Sequence, residues 1–408
     1  MADLTPPEPG DEIAWLRRYL PDLIGDDEVP ASTIPGGQTA ADAALAAFSG
    51  RGYAARRNEV WPAGARGASR LSPYIRHGLI TLPRAWDHMS GAPAKDAEKF
   101  RDELLWQEYA RHLYARLGQA TGRSLRFQVE EWSEPPNAVG WPEGMACIDL
   151  IVGELYGDGW LPNQARMWLA SQWTVRDGLG WRDGEDDFFR HLLDGSRAAN
   201  RLGWQWTVGA LTGKEYGFSR WQVEKRAPGV CDGCELRAHC PIQQWPPERE
   251  LSPRAYADPR LRRDPDLATT AGIAAQAAAT GDEPEAVWLT AESLGDDDPA
   301  LRAYSDIPAV FVWDRPLLQR LRLAPTRLVF LAQCLSDLAS RRDLRIGVGD
   351  PAEVLRGMRL AATFAPVPGW RRRSEVLSLA RVEPWPWLVP PHNGPVTSFT
   401  AWRRRARA

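Results

Sequence analysis

Cysteine, histidine and long apolar runs are all scarce in this chain of 408 residues. Five Cys, an odd number spread unevenly, argue against a disulfide-stapled secreted scaffold and leave metal or redox chemistry as the use for clustered thiols. No stretch approaches the roughly 18 uninterrupted apolar residues of a membrane span. The opening MADLTPPEPGDE has neither a basic n-region nor an apolar h-region, so a cytoplasmic protein without membrane contact is expected. Charge of one sign is lacking too: Lys+Arg 50 against Asp+Glu 53 gives a net charge of -3. That excludes a polycation coating nucleic acid and leaves only a local basic groove for such a partner.

What is present is ordinary globular material, 44% hydrophobic and 25% charged, with an unusual 20 Trp, 34 Pro and 35 Gly. Indoles are kept where the ring packs, stacks or carries an electron. At roughly 150 residues per domain the length predicts two or three domains. Residues 1–35 mix short apolar pieces with Pro, Gly and acidic residues and read as a lead-in with one helix. Residues 36–246 carry apolar positions at helical spacing, as in KFRDELLWQEYARHLYARLG and NQARMWLASQWTVRDGL, and read as nearly all-helical. Residues 247–284, rich in Pro, Arg, Asp and Ala, read as a linker with one Ala-rich helix. Residues 285–408 contain β-rich AVWLT, AVFVWD and LRIGVG with a helical pattern between the second and third, which predicts a parallel α/β (Rossmann-like) domain. The tail FTAWRRRARA reads as a solvated basic helical end.

Three local patterns bear on chemistry. In Ser69-Arg70-Leu71-Ser72-Pro73-Tyr74 two hydroxyls precede a helical segment, an arrangement that suits an ordinary cap or a phosphate at a helix N-terminus. Glu103 and Trp106, three apart, share one helix face. Cys231, Cys234 and Cys240 form C-x2-C-x5-C in a Gly/Pro-flanked loop, with Cys147 at a helix start; four thiolates suit zinc or a [4Fe–4S] cluster, and spacing does not separate the two. Cys334, inside LVFLAQCLSDLAS, reads as a buried small hydrophobe.

The segments SRLSPYIRHG, FRDELLWQEYARHLY, GWLPNQARMWLAS and LLDGSRAANRLGWQW, in this order, resemble the FAD-binding segments of the photolyase/cryptochrome family over most of residues 40–210. The resemblance implies an all-α FAD-binding domain in which Tyr53, Ser69, Leu71 and Ser72 hold the pyrophosphate and ribose. Arg166 and Asp194 would pair beside the flavin ring, Asn200 would face flavin N5, and Phe100, Asn163 and Ser196 would complete the cofactor contacts. Glu103 would also touch the cofactor and hydrogen-bond a pyrimidine, Trp106 would stack on the lesion, and Met167 and Trp206 would finish the substrate cavity. Trp204 and Trp181 match two members of the electron-carrying Trp chain. The third position falls near Phe127 and Gln128, where no Trp stands, so the chain is expected to be incomplete or rerouted through Trp132 or another indole.

Departures from the family pattern at Ala68, Gln107, Gln164 and Ser196 weaken phosphate and DNA contacts more than the flavin core. None of the six His, at 77, 88, 112, 191, 239 and 392, falls in Trp160–Met167, which favours the cyclobutane dimer over the (6-4) lesion, whose repair uses a His general acid. The Cys loop resembles the ligand loop of iron–sulphur DNA glycosylases, and a class of bacterial photolyases carries a cubane cluster with a ligand matching Cys147. The resemblance therefore implies a [4Fe–4S] cluster on Cys147, Cys231, Cys234 and Cys240, ahead of zinc. VWLTAESLGDDDPALRAYSDIPAVFVWDRPLL, IGVGDPAEVL and WLVPPHNGPVTSFTAWRRR resemble the family's antenna domain, which ordinarily precedes the flavin domain; the order here implies circular permutation. Thr290, Ala291 and Glu292 replace basic residues common there, so an antenna chromophore is expected to be weakly held or absent. The activity implied is light-driven repair of DNA containing pyrimidine dimers by a monomer. The rival is a cryptochrome-like blue-light photoreceptor that binds a signalling protein.

Overall fold

The computed structural model describes residues 4–134 and 140–406; the last two residues of the basic tail lie outside them. Helices dominate up to Arg226 and a sheet organises the chain from Ala286 onward. The helices used below are α1 (Glu12–Tyr19), α2 (Ser72–Arg76), α3 (Ala94–Leu117), α4 (Ala146–Gly157), α5 (Asn163–Ser171), α6 (Trp181–His191), α7 (Ala199–Thr207), α8 (Arg220–Arg226), α9 (Pro325–Ala339) and α10 (Phe399–Arg403).

α3 is the longest, 24 residues of mostly strong helix formers between Pro93 and Gly118, whose φ of 56° ends the helix. Phe100, Leu104, Leu105, Tyr109, Leu113 and Leu117 recur at helical spacing and are all buried, so one face of α3 is core. Glu103, Trp106 and Gln107 fall on a different face, which turns to the cleft described below.

The sheet holds β1 (Ala286–Leu289), β2 (Ala309–Asp314), β3 (Leu344–Gly349), β4 (Leu360–Thr363) and β5 (Leu379–Glu383) in the order β3-β2-β1-β4-β5, every pairing parallel. β1 and β4 are buried along their whole length, as strands covered on both faces must be. β1 to β3 are the runs AVWL, AVFVWD and LRIGVG picked out in the sequence. β4 (LAAT) and β5 (LARVE) carry no comparable run of β-branched residues, and tertiary pairing rather than local propensity makes them strands.

The first residues pack on the far end of the chain. α1 lies against α9, Trp15 sits 6.0 Å from Trp313, and Leu4 donates its amide to Ile346 O of edge strand β3 at 2.9 Å. This pairing covers an otherwise open sheet edge. Segment 247–284 is likewise packed rather than loose: Phe127 bridges Pro253, and Asp264 forms a fully buried ion pair with Arg116 of α3 at 3.2 Å. One apolar cluster runs from Leu104 and Trp160 through Tyr74 to Phe330 and Val287, so helices and sheet share a core. Among the described residues no helix is long and apolar enough to cross a membrane.

Candidate functional site: a helical cleft and a thiol cluster

A cleft lies among α2, α3, α5 and α7, with a cavity of about 250 Å³. α7 gives it Asn200, Gly203, Trp204 and Thr207, the i, i+3, i+4, i+7 face of one helix. α5 gives Asn163, Arg166, Met167 and Ala170 on the same rule. Gly184 of α6 allows the close packing behind this wall, because a Cβ there would stand 2.2 Å from the Trp204 ring.

Arg166 and Asp194 form a two-pronged pair, Nη1 to Oδ1 at 3.1 Å and Nη2 to Oδ2 at 2.7 Å, and Arg166 Nε donates to Leu161 O at 2.9 Å. Each of the three guanidinium nitrogens thus makes a hydrogen bond, which fixes the group on the cleft wall. Asn200 is 8% exposed, and its Nδ2 is buried without a partner among the described residues. A buried, unpaired amide on the wall of a cleft is a donor awaiting a ligand. Ser69 and Ser72 line the same space, with Tyr53, Ala68 and Ser196 beside them. Ser72 does not cap α2; its hydroxyl accepts from Trp160 Nε1 at 3.2 Å, while Ser69 Oγ accepts from Leu71 N at 3.4 Å. The Tyr53 phenol is held well above its ordinary pKa, chiefly by burial and then by the charge of Glu103.

Glu103 stands at the mouth, its carboxylate 3.3 Å from Arg57 Nε and 3.2 Å from Lys99 Nζ. Trp106, Gln107 and Met167 flank it. Residues that the sequence reading did not single out share the lining, among them Arg57, Arg76, Arg111 and Trp160. Arg57 follows the Gly52-Tyr53 turn and Trp160 opens the GWLPNQARM motif, so both had a local signal. Arg76 and Arg111 had none. Burial lowers the Arg111 pKa, and Glu108 at 3.5 Å opposes that shift.

Other expected residues lie off the cleft. Leu71 and Phe100 are core; Phe100 packs edge-on to Tyr53 at 5.1 Å and so supports a lining residue from behind. Trp206 sits between the cleft-facing positions of α7 and turns toward Tyr216, 5.5 Å away. Gln164 is buried and donates to the Tyr216 hydroxyl at 2.8 Å, so it offers nothing to a ligand. Trp181 is fully buried in the same apolar cluster as Trp204, and Arg182 lies over both its ring, at 5.5 Å, and that of Trp132, at 4.7 Å. Trp132 is 46% exposed, whereas Phe127 packs at Gly213.

The four remaining thiols of interest gather elsewhere. Cys147 begins α4 and is buried; Cys231, Cys234 and Cys240 lie half-buried in short 3-10 turns, Val230–Gly233 and Arg237–His239, or just after them. Cys147, Cys231 and Cys240 contact one apolar cluster with Ile148 and Val223, and Cys234 Sγ lies 3.8 Å from Gly144 O beside α4. The Cys147 thiol is pushed up to about 12, first by burial and then by the three loop thiols, so all four are electrostatic neighbours. Among the described residues no group of three or more His, Cys, Asp or Glu side chains is arranged to hold a metal ion. Cys334 is buried in α9, away from them.

Residues 100–226 match the family model for the FAD binding domain of DNA photolyase. Over these residues the helical block is similar to a photolyase FAD-binding domain. A deoxyribodipyrimidine photo-lyase of Synechococcus sp. is 32% identical over 227 residues, covering 51% of this chain and 46% of that one. Another, from Thermus thermophilus, is 36% identical over 195 residues and covers 45% of each chain. Among solved structures, a cryptochrome of Synechocystis sp. is 21% identical with a TM-score of 0.42, covering 50% of this chain and 46% of that one. The chain thus spans about half the length of the curated relatives it matches. A photolyase-type FAD-binding domain is here followed by a five-stranded parallel sheet domain.

Proposed function

We propose that the protein is a member of the photolyase/cryptochrome family that repairs cyclobutane pyrimidine dimers in DNA under light, with FAD as cofactor. The observation that carries this reading is the conjunction, in one cleft, of the Arg166–Asp194 pair, the unpartnered Asn200 amide and the Ser69/Ser72 hydroxyls, with Glu103, Trp106 and Met167 at its mouth. Bound FAD, once reduced and excited, would supply the electron that opens the cyclobutane ring.

The residues of the chain do the rest. Arg166, held flat by Asp194, offers fixed positive charge to an electron-rich ring without reorganising. Asn200 donates a hydrogen bond from its free Nδ2 to a ring nitrogen. Ser69 and Ser72 offer hydroxyls to phosphate oxygens. Glu103, anchored by Arg57 and Lys99, accepts a hydrogen bond from a pyrimidine N–H, while Trp106 and Met167 give apolar faces to a dimer flipped from the duplex. Trp204, Trp181 and the exposed Trp132, the last two sharing Arg182, would offer a route for electrons between the surface and a bound flavin.

Cys147, Cys231, Cys234 and Cys240 are proposed to hold a [4Fe–4S] cluster that staples the loop to α4, in preference to zinc. The sheet domain is proposed to be a circularly permuted antenna domain with no tightly held chromophore, in a monomeric cytoplasmic protein. The photoreceptor reading has one observation in its favour: Gln164 is buried on Tyr216, so α5 lacks a cation for DNA there. The deciding experiment illuminates the reduced protein with dimer-containing oligothymidine and follows thymine absorbance. Recovery is expected; bound, reduced FAD without recovery would favour photoreception.

A further inference from the structure

Asp194 lies in the turn between α6 and α7, and that turn is held by more than its own backbone. The carbonyls on either side of it, Leu193 O and Gly195 O, are both held by side chains linked to the sheet domain. Arg327 of α9 donates to Gly195 O at 3.2 Å and also to Phe189 O. Arg76 donates to the same Gly195 O at 3.1 Å and pairs at 2.9 Å with Glu292, in the loop after β1. His77 stands between Leu193 O, at 3.2 Å, and Ala291 O of the same loop, at 2.7 Å. Gly195 is required for the approach: a Cβ there would lie 2.6 Å from Arg327 Nη1 and 2.7 Å from Phe189 O.

Arg327 is the unusual member. It is 4% exposed and makes no ion pair among the described residues; its charge rests on backbone carbonyls, the Phe189 ring 5.1 Å away, and the field of Asp194. Burying a guanidinium costs free energy that only its hydrogen bonds and nearby charges offset, so those bonds hold their partners firmly. What it enforces is the turn from which Asp194 reaches Arg166.

We infer that Arg327, from the sheet domain, is a positioning residue for the cofactor cleft, fixing the 193–195 turn so that Asp194 holds Arg166 in register with the bound ring. The inference rests on the proposed reading of the cleft as the FAD site. It gives the sheet domain a role independent of any second chromophore, because the domain governs how the flavin is held.

The test compares the full-length holoprotein with Arg327→Met, Arg327→Lys and a control, Arg342→Met. Arg342 also clasps carbonyls of the sheet domain, Leu301 O at 2.9 Å and Ile307 O at 3.1 Å, but makes no contact with the turn. Arg327→Met is expected to weaken FAD affinity about tenfold, the effect of losing charge-assisted hydrogen bonds that act through the turn, and to blur the fine structure of the visible flavin band. Arg327→Lys keeps the stem and charge but cannot fork between two carbonyls, and is expected to fall between; it also decides the matter if Arg327→Met does not fold. Arg342→Met should lose stability and leave the flavin band and affinity as in the unsubstituted protein. A wild-type flavin band and affinity in a folded Arg327 variant would overturn the inference, as would equal losses in the Arg342 control. A native chain that binds no FAD would overturn the cofactor reading along with it, an outcome told apart because the unsubstituted protein would then release no flavin on denaturation.

Discussion

Asn200 and Trp204 lie one turn apart on α7, and both reach the cleft with a polar hydrogen that nothing satisfies: the Asn200 amide and the Trp204 indole N–H are buried without partners among the described residues. The proposed ring nitrogen answers the first of these. Asn200→Asp replaces a neutral donor by a carboxyl that must be buried near Arg166, and its cost is expected to be on the order of 2 kcal/mol in denaturant unfolding. More telling is the flavin: the redox state that accumulates under steady illumination should change, since an anion beside the ring disfavours a second one. Absorption spectra identical to those of the unsubstituted protein would remove Asn200 from that position. At this scale the sequence was most legible where a motif carries several coupled residues, as with Arg166 in NQARMWLAS and Asp194, Asn200 and Trp204 in DGSRAANRLGW. It was least legible where a side chain reaches the cleft from a distant element. Arg76 and Arg111 are unremarkable on their own helices, and Trp206 adjoins cleft residues in sequence yet turns elsewhere by helical rotation.

A loop of Pro and Gly has little reason to adopt a fixed path by itself, yet 3-10 turns bring Cys231, Cys234 and Cys240 against α4, where Cys147 is buried. The loop also reaches α8, since Arg220 of α8 donates to Arg237 O at 3.1 Å. If a cluster organises these turns, removing one ligand should release them. Cys234→Ala is expected to lose most of its iron by elemental analysis, bleach a broad absorption in the blue and lower the soluble yield. Stoichiometric zinc in the native protein would instead assign the same thiols to a single ion, and metal-free protein of unchanged stability would leave them as packing groups. The spacing grouped three thiols and left Cys147 remote, because it lies more than eighty residues from the loop and only the tertiary fold makes it a neighbour. The sheet shows the same limit: three strands were legible as β-rich runs, whereas LAAT and LARVE are strands by virtue of the partners that flank them.

The two domains are joined by more than the chain that links them. Arg116 of α3 is buried and donates to Asp264, to Arg260 O at 3.1 Å, to Gly394 O at 2.8 Å and to His392 O at 2.5 Å. One guanidinium thus gathers segment 247–284 and the stretch before α10 onto the longest helix of the helical block. The composition of 247–284, with its Pro, Arg and Asp, suggested a spacer, and nothing local distinguishes Asp264 from the other acids around it; only the pairing with Arg116 makes it a tie. Such a pair, 2% exposed on both sides, is neutral as a unit but costly to break, because the survivor is left buried and uncompensated. Asp264→Ala is therefore expected to destabilise the protein by about 3–5 kcal/mol, read as a lower denaturant midpoint. It should also open 247–284 to limited proteolysis at concentrations of protease that leave the native segment intact. A loose spacer would behave otherwise, being cut in both proteins and indifferent to the substitution. The distinction matters for the cleft, since a firm strap and the Arg327 clasp together would hold the sheet domain in one orientation against the turn that carries Asp194.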